Sequence, residues 1–390
     1  MTYDISPELA AEAQRQLQHP ALKTTLLGQL GRGARNPPEL DTKIHPACQM
    51  LNHSLRAHQD AALSVSQYFA IALQQYHTAA EVLRRLERTV PAPNILDFAC
   101  GYGRLLNLLI HRVPTERIWA SEIQTDAVAF AVRQFGVHGL QSTPAPEDFN
   151  PEQRFDLIWV VSLFSHLPPG LFERWLKRLA GLLTPDGILL FTVHDQGLLP
   201  PDRTMPDSGV LYIGSSENRD LNPEIYGTTF VNEDFVRQAI CDQLGEQRRY
   251  LRLPRLINFE QDAYLIGGTD DRDLGEFESL SRGLRGWVDG FHISDGRLRM
   301  HGWAGSMDQG EPVQLTISLD GQAQPFNSGE PRPDVVEVLG KPSLKNSGWS
   351  AQLQLPTDRD ETYLRITLSD DRDQQALIYA GALDLNTIRA

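Results

Sequence analysis

The sequence predicts a mixed α/β chain in three parts: a helical N-terminal cap, a parallel sheet covered by helices, and a C-terminal antiparallel β-sandwich. Three observations carry this. From residue 6 to about 90 apolar residues recur at helical spacing, with Leu63, Phe69, Leu73, Tyr76, Ala80, Leu83 and Leu86 on one face. From 95 to 268 continuous apolar runs alternate with amphipathic stretches, as expected for strands buried on both faces. From about 276 short alternating runs are separated by turns such as Ser294-Asp295-Gly296 and Asp320-Gly321.

In chain order, Pro37-Pro38 breaks the first helical region. The middle region reads as strand 94–99, helix 105–112, strand 118–122, helix 125–135, strand 155–162, helix 170–183 and strand 187–194, the last announced by the turn Pro185-Asp186-Gly187. Residues 196–226, rich in proline, glycine and polar residues, then interrupt the rhythm as an insertion. Helix 232–244 and strands 247–256 and 262–266 follow. The C-terminal runs are 286–293, 297–303, 313–319, 349–355, 363–368 and 376–382. The division expected is a cap over 1–90, a parallel-sheet domain over 91–268 and a β domain over 276–390, with a linker at 267–273.

Bulk properties bound the function. At 390 residues the chain has room for two or three domains. Its 36 basic and 50 acidic residues leave a formal charge of −14, which opposes non-specific binding to nucleic acid or to an anionic membrane. Cys48, Cys100 and Cys241 are odd in number and far apart, so neither a disulfide framework nor a zinc spacing is present. Carboxylates and histidines show no metal spacing either. The first 30 residues lack a basic start followed by an apolar run, and the most apolar stretch, 155–167, is too short to span a bilayer. A cytoplasmic setting is the expectation.

The chemistry concentrates at Asp97-Phe98-Ala99-Cys100-Gly101-Tyr102-Gly103. A strand enters a glycine turn there and leaves it as a helix. Gly101 and Gly103 allow positive φ and close approach of a ligand. Glu122 ends the next strand, 19 residues beyond Gly103, where a carboxylate can accept both hydroxyls of a ribose. A dinucleotide fingerprint would need a third glycine where Leu106 stands. Asp97 suits a cationic, amine-bearing nucleoside, and S-adenosylmethionine fits that description.

This segment resembles the first motif, of D-x-x-C-G-x-G type, of the class I S-adenosylmethionine-dependent methyltransferases. Further segments resemble the same family: Pro146-Glu147-Asp148, Asp156-Leu157-Ile158-Trp159 leading into Ser162-Leu163-Phe164-Ser165-His166-Leu167, and Leu182-Leu183-Thr184-Pro185-Asp186-Gly187-Ile188-Leu189. The resemblance spans about 68–268. It implies a Rossmann-like seven-stranded sheet in the order 3-2-1-4-5-7-6 with the last strand antiparallel, and the N-terminal helices covering the cofactor. It also implies cofactor contacts from Asp97, Ala99, Gly101, Gly103, Glu122 and Ile123. Glu147 and Asp148 would lie near the adenine, Ser162, after the fourth strand, would contact the cofactor, and Tyr68 would reach the methionyl carboxylate. Many members carry glycine where Ala99 stands.

Methyl transfer to a hydroxyl needs alignment and a general base. His166 follows the fourth strand and His194 ends the fifth, so both should face the acceptor side, and both are candidate bases. Asp195 cannot orient His194, because adjacent strand side chains point to opposite faces. The Asn/Asp-Pro-Pro-aromatic loop of amine-methylating enzymes is absent after the fourth strand. Arg248, Arg249, Arg252 and Arg255 read as a solvated sheet face. Tyr212, Tyr226 and Phe230 are candidate pocket walls. In the last region Trp287, Trp303 and Trp349 read mainly as core. With Arg332-Pro333-Asp334-Val335 they resemble β domains appended to bacterial polysaccharide-biosynthesis enzymes. The expectation is methylation of a hydroxyl on a saccharide or other small molecule, with a glycan or protein as partner of the β domain. The alternatives are a natural-product or protein acceptor, or a non-catalytic scaffold.

Overall fold

The computed structural model describes residues 4–31, 40–215, 222–258, 260–309, 313–372 and 374–385. Pro37-Pro38 and part of the 196–226 insertion lie outside them. The chain forms two compact units: Met1–Gln74 with Ser281–Ala390, and Gln75–Leu280. The boundaries differ from those drawn on the sequence, since the first 74 residues group with the C-terminal sheets. Four helices open the chain: α1 Pro7–Gln18, α2 Pro20–Gln29, α3 Gln49–His58 and α4 Ala61–Leu86. Ser6 caps α1 by accepting the Leu9 N–H at 3.1 Å, and Asp60 does the same for Leu63 at the start of α4. No helix among the described residues is long and apolar enough to cross a membrane.

The unit 75–280 is built on a mainly parallel sheet. Its elements are β1 Ile95–Phe98, α5 Leu106–Leu109, β2 Ile118–Glu122, α6 Thr125–Phe135, β3 His138–Gln141, β4 Phe155–Val160, α7 Pro169–Ala180, β5 Leu183–Asp195, β6 Val210–Ile213, β7 Thr228–Val231, α8 Glu233–Leu244, β8 Tyr250–Ile257 and β9 Gln261–Gly267. The order runs β3-β2-β1-β4-β5, parallel throughout, with β9 antiparallel on the far side of β5 and β8 outside it. This is the expected seven-strand order. Leu96, Phe98, Ile158, Val160, Leu189 and Phe191 stack into one core with Phe172 and Leu176 of α7.

Three local expectations are corrected. The helix expected over 105–112 is the single turn α5, followed by turns to Val113. Pro185-Asp186-Gly187 is not a turn before β5 but a bulge within it, between the pairs Phe155–Leu183 and Leu157–Ile188. A side chain at Gly187 would stand 2.8 Å from the Phe155 carbonyl. The 196–226 insertion contributes a strand, β6, which pairs antiparallel with β7. β7 in turn joins the last two residues of β5, with His194 opposite Phe230.

The other unit carries two antiparallel sheets. Their strands are β10 Leu284–Ser294, β11 Arg297–Ser306, β12 Gln314–Leu319, β13 Gln322–Asn327, β14 Gly348–Gln354, β15 Glu361–Ser369 and β16 Gln375–Asp384, with a short helix, α9 Pro333–Leu339, before β14. The orders are β10-β11-β14 and β13-β12-β15-β16. Leu298, Met300, Trp349, Leu315, Ile317, Leu364 and Ile366 share one core between them. Trp349 and Trp303 are buried, and Trp287 lies tilted beside His58 at 5.8 Å. Arg332 is not a loose surface cation, since it pairs with Asp289 and Asp334 at 2.7 Å each. The edge strand β16 is closed by side chains from the N-terminal helices. Gln16 both donates to the Ala382 carbonyl (3.0 Å) and accepts its N–H (2.9 Å), and Ser66 accepts the Ala380 N–H (2.9 Å).

Candidate functional site

Parallel topology brings the carboxyl ends of β1, β2, β4 and β5 to one edge of the sheet in the unit 75–280. After β1 the chain turns through Ala99, Gly101 and Gly103 at φ of 59°, 54° and 80°. The two glycines differ in what surrounds them. A methyl group on Gly103 would meet the Phe135 ring at 2.3 Å, whereas one on Gly101 would meet nothing within 4 Å. Gly103 is therefore required by packing and Gly101 leaves room. Ala99 adopts the left-handed conformation without being glycine, which strains the backbone by roughly 1 kcal/mol. Tyr102, which sequence reading did not single out, donates its hydroxyl to Asp126 of α6 at 2.6 Å and fastens the loop.

Two buried carboxylates face this loop. Glu122 accepts the Gly101 N–H at 3.0 Å on one oxygen, and the Ile123 and Gln124 N–H groups at 2.7 and 3.3 Å on the other. Burial raises its pKa against the pull of those amides. Ile123 thus contributes its backbone, and Gln141 holds the Ile123 carbonyl at 2.8 Å. Asp97 is 4% exposed, and its Oδ2 has no hydrogen-bond partner. Burial first, then the neighbouring Glu122 charge, pushes its pKa up to about 8, while Arg104 opposes the rise. Cys100, beside them, is held as a thiol because burial raises its pKa.

Glu147 and Asp148 sit exposed on the turn Pro146–Asp148. Glu147 is paired with Arg174 of α7, whose Nε donates at 2.7 Å, and that contact pushes its carboxyl down to about 2. Tyr68 lies in the other unit, buried on α4 against Phe69, with its hydroxyl 3.9 Å from Cys48 Sγ. Ser162 follows β4 at φ 64°. Its N–H donates to Thr192 Oγ1 at 2.9 Å, and its hydroxyl accepts from Gln261 Nε2 at 2.8 Å.

His166 and His194 are brought together, with ring centroids 6.1 Å apart. His166 is buried and stacks on Tyr226 at 4.6 Å. Its Nδ1 lies 2.6 Å from the Gly227 carbonyl, which can only accept. The neutral ring therefore carries its proton on Nδ1 and its lone pair on Nε2. His194 is more exposed and lies beside Phe230 at 5.7 Å. Asp195 does turn away from it, pairing with Arg252 at 2.8 Å. Arg252 is also bound by Glu233 (2.7 Å) and Asp262 (2.8 Å), and Arg248 by Asp270, so these arginines form ion pairs instead of a loose cationic face. Tyr212 points its hydroxyl to the Pro223 carbonyl (2.6 Å).

A parallel sheet of this order, with a glycine turn and two buried acids at its carboxyl edge, is the setting for a nucleoside-type cofactor. Residues 71–261, just under half the chain, match a family model described as a methyltransferase domain. Nearly all of the matched segment, 75–261, lies in the parallel-sheet unit. Tyr68 falls just outside the matched segment. Among solved structures the chain is similar to an S-adenosylmethionine-dependent methyltransferase from Clostridium acetobutylicum, at 17% identity and TM-score 0.36, over 49% of this chain and 91% of that one. It is similar also to CalS10, an amino pentose methyltransferase from Micromonospora echinaspora, at 16% identity and TM-score 0.36, over 50% and 92%. A third is the 1,6-didemethyltoxoflavin-N1-methyltransferase of Burkholderia thailandensis, at 16% identity and TM-score 0.33, over 48% and 76%. No curated protein matches the sequence.

Proposed function

We propose that the protein methylates a hydroxyl group of a small molecule, a saccharide included, with S-adenosylmethionine as donor. The observation that carries the donor is the unpartnered, buried Asp97 oxygen beside Glu122 and the open space over Gly101. Such a pair of acids suits a ligand with an ammonium or sulfonium charge and a ribose diol. Asp97 would take the positive group, Glu122 the ribose hydroxyls, and Gly101 the close backbone approach. When bound, S-adenosylmethionine supplies a methyl group activated on a sulfonium.

The chain's own task is alignment and removal of a proton. His166, with its lone pair on Nε2, and the more exposed His194 form the candidate base pair on the acceptor side. Tyr226 and Phe230 hold the two rings. Calorimetry with S-adenosylmethionine and S-adenosylhomocysteine tests the donor: binding by the wild type should weaken about 10-fold or more in Glu122→Ala, through loss of hydrogen bonds to a charged acceptor. No binding by the wild type overturns the cofactor reading. Binding without release of S-adenosylhomocysteine across mixed hydroxyl acceptors overturns the catalytic one.

A further inference from the structure

We propose that Thr192 and Gln261 are positioning residues for the loop that carries His166, acting through Ser162; this rests on the methyl-transfer reading above. The three side chains close a ring of hydrogen bonds. The Ser162 N–H donates to Thr192 Oγ1 at 2.9 Å, Thr192 Oγ1 donates to Gln261 Oε1 at 2.7 Å, and Gln261 Nε2 donates to Ser162 Oγ at 2.8 Å. They come from three places in the sheet. Ser162 follows β4, Thr192 is near the end of β5, and Gln261 begins β9. Because β9 runs antiparallel to β5, its first residue lies at the edge where β5 ends.

The ring is polar chemistry inside an apolar sheet. Thr192 is fully buried and Gln261 is 6% exposed, between neighbours such as Phe191, Val193 and Ala263. Each polar side-chain atom of the ring has at least one partner, which favours a single geometry for the network. What it fixes is a strained residue, Ser162 at φ 64°. Glycine reaches that conformation freely, whereas serine there is held by hydrogen bonds at both its N–H and its Oγ. Four residues on, His166 is clamped at Nδ1 by the Gly227 carbonyl. Between the two anchors Phe164 packs on Phe172 and Phe191, and the Ser165 carbonyl accepts the Thr229 N–H at 2.7 Å. The position of the His166 ring is therefore set at one end by Gly227 and at the other by the ring.

The test reads the histidine directly, in the full-length protein, by the NMR shifts of its ring nitrogens. Thr192→Val and Gln261→Met should each move those shifts and change the His166 tautomer balance, because the hydrogen bond at Nδ1 fixes the tautomer and depends on where the ring is held. Thr192→Ser keeps the hydroxyl and should restore the wild-type spectrum. S-adenosylhomocysteine affinity, measured alongside, is the separate readout of the cofactor site. Folded Val and Met variants with an unchanged His166 signal would overturn the proposal. If either variant fails to fold, Ser162→Ala supplies the same readout. A wild type that does not bind S-adenosylhomocysteine would sink the cofactor reading and leave the histidine result standing as the measure of the ring.

Discussion

Two neighbouring loops, one after β1 and one after β4, show how alike in backbone and unlike in polar bookkeeping two parts of one sheet edge can be. Each bends through a non-glycine residue in the left-handed region, Ala99 at 59° and Ser162 at 64°. In the loop after β4 the Ser162 N–H and Oγ are satisfied through Thr192 and Gln261, while the buried Ser165 Oγ has no partner. At the end of β1, just before the other loop, Asp97 Oδ2 has no partner. A buried group that is satisfied holds a shape, and an unsatisfied buried carboxylate beside the open space at Gly101 leaves room for a ligand to complete it.

The largest expected effect separates Gly103 from Gly101. Gly103→Ala forces a contact with Phe135 as well as strain, and should destabilise by about 2–4 kcal/mol, read as a fall in Tm. Gly101→Ala meets no atom, should lose only about 1 kcal/mol, and should instead weaken S-adenosylhomocysteine binding. Equal losses of stability would erase the distinction between a packing glycine and a ligand glycine.

The next effect is the pH dependence of Asp97. Its folded pKa of about 8 is above the ordinary carboxylate range, so the folded form keeps a proton that the unfolded form has lost, and stability falls as pH rises between about 4 and 8. Asp97→Asn abolishes that titration. Its Tm advantage over the wild type should grow from pH 5 to pH 8, while its affinity for S-adenosylmethionine should drop and lose pH dependence. A Tm difference that does not change with pH would show that Asp97 is not held protonated by the fold.

Smaller effects sharpen the comparison of the two strained residues. Ala99→Gly should stabilise by about 0.5–1 kcal/mol, since strain is removed and no bond is lost. Ser162→Gly should be neutral or destabilising, because the same relief is offset by losing the Oγ hydrogen bond to Gln261. The smallest effect is at His111, a buried ring whose nitrogens both lack partners, in the turn after α5. Burial lowers its pKa, so its destabilising influence grows as pH falls below about 6.5. His111→Leu should raise Tm more at pH 5.5 than at 7.5 and leave ligand binding unchanged. Altered binding would mean that an unsatisfied group matters wherever it lies, and not only at the sheet edge.

Much of the parallel sheet could be read in advance because strands such as Phe155–Val160 and Ile95–Phe98 are buried at every position and so are continuous apolar runs. β3, His138–Gln141, escaped because it is short and mostly exposed. β6 and β7 escaped because their pairing is tertiary: Gly227 and Thr229 donate to the carbonyls of His166 and Ser165. Helical periodicity in the first 74 residues reported an amphipathic face but not the sheet it would serve. In the site, Asp97, Gly101, Gly103 and Glu122 carry a local motif. Thr192 and Gln261 carry none, because a polar residue in an apolar strand acquires meaning only from partners 30 and 99 residues away.

The sealing of β16 by Gln16 and Ser66 has a consequence for biosynthesis. The unit that contains them is interrupted in sequence by the whole of Gln75–Leu280. During vectorial synthesis the early helices emerge first and must wait, while the intervening sheet is made, for the strand whose edge they close. Gln16 and Ala382 are 366 positions apart, so this closure cannot form until all of the intervening chain has been made. Until then the Gln375–Asp384 edge is open to any other strand, which makes the N-terminal helices an intramolecular guard against self-association.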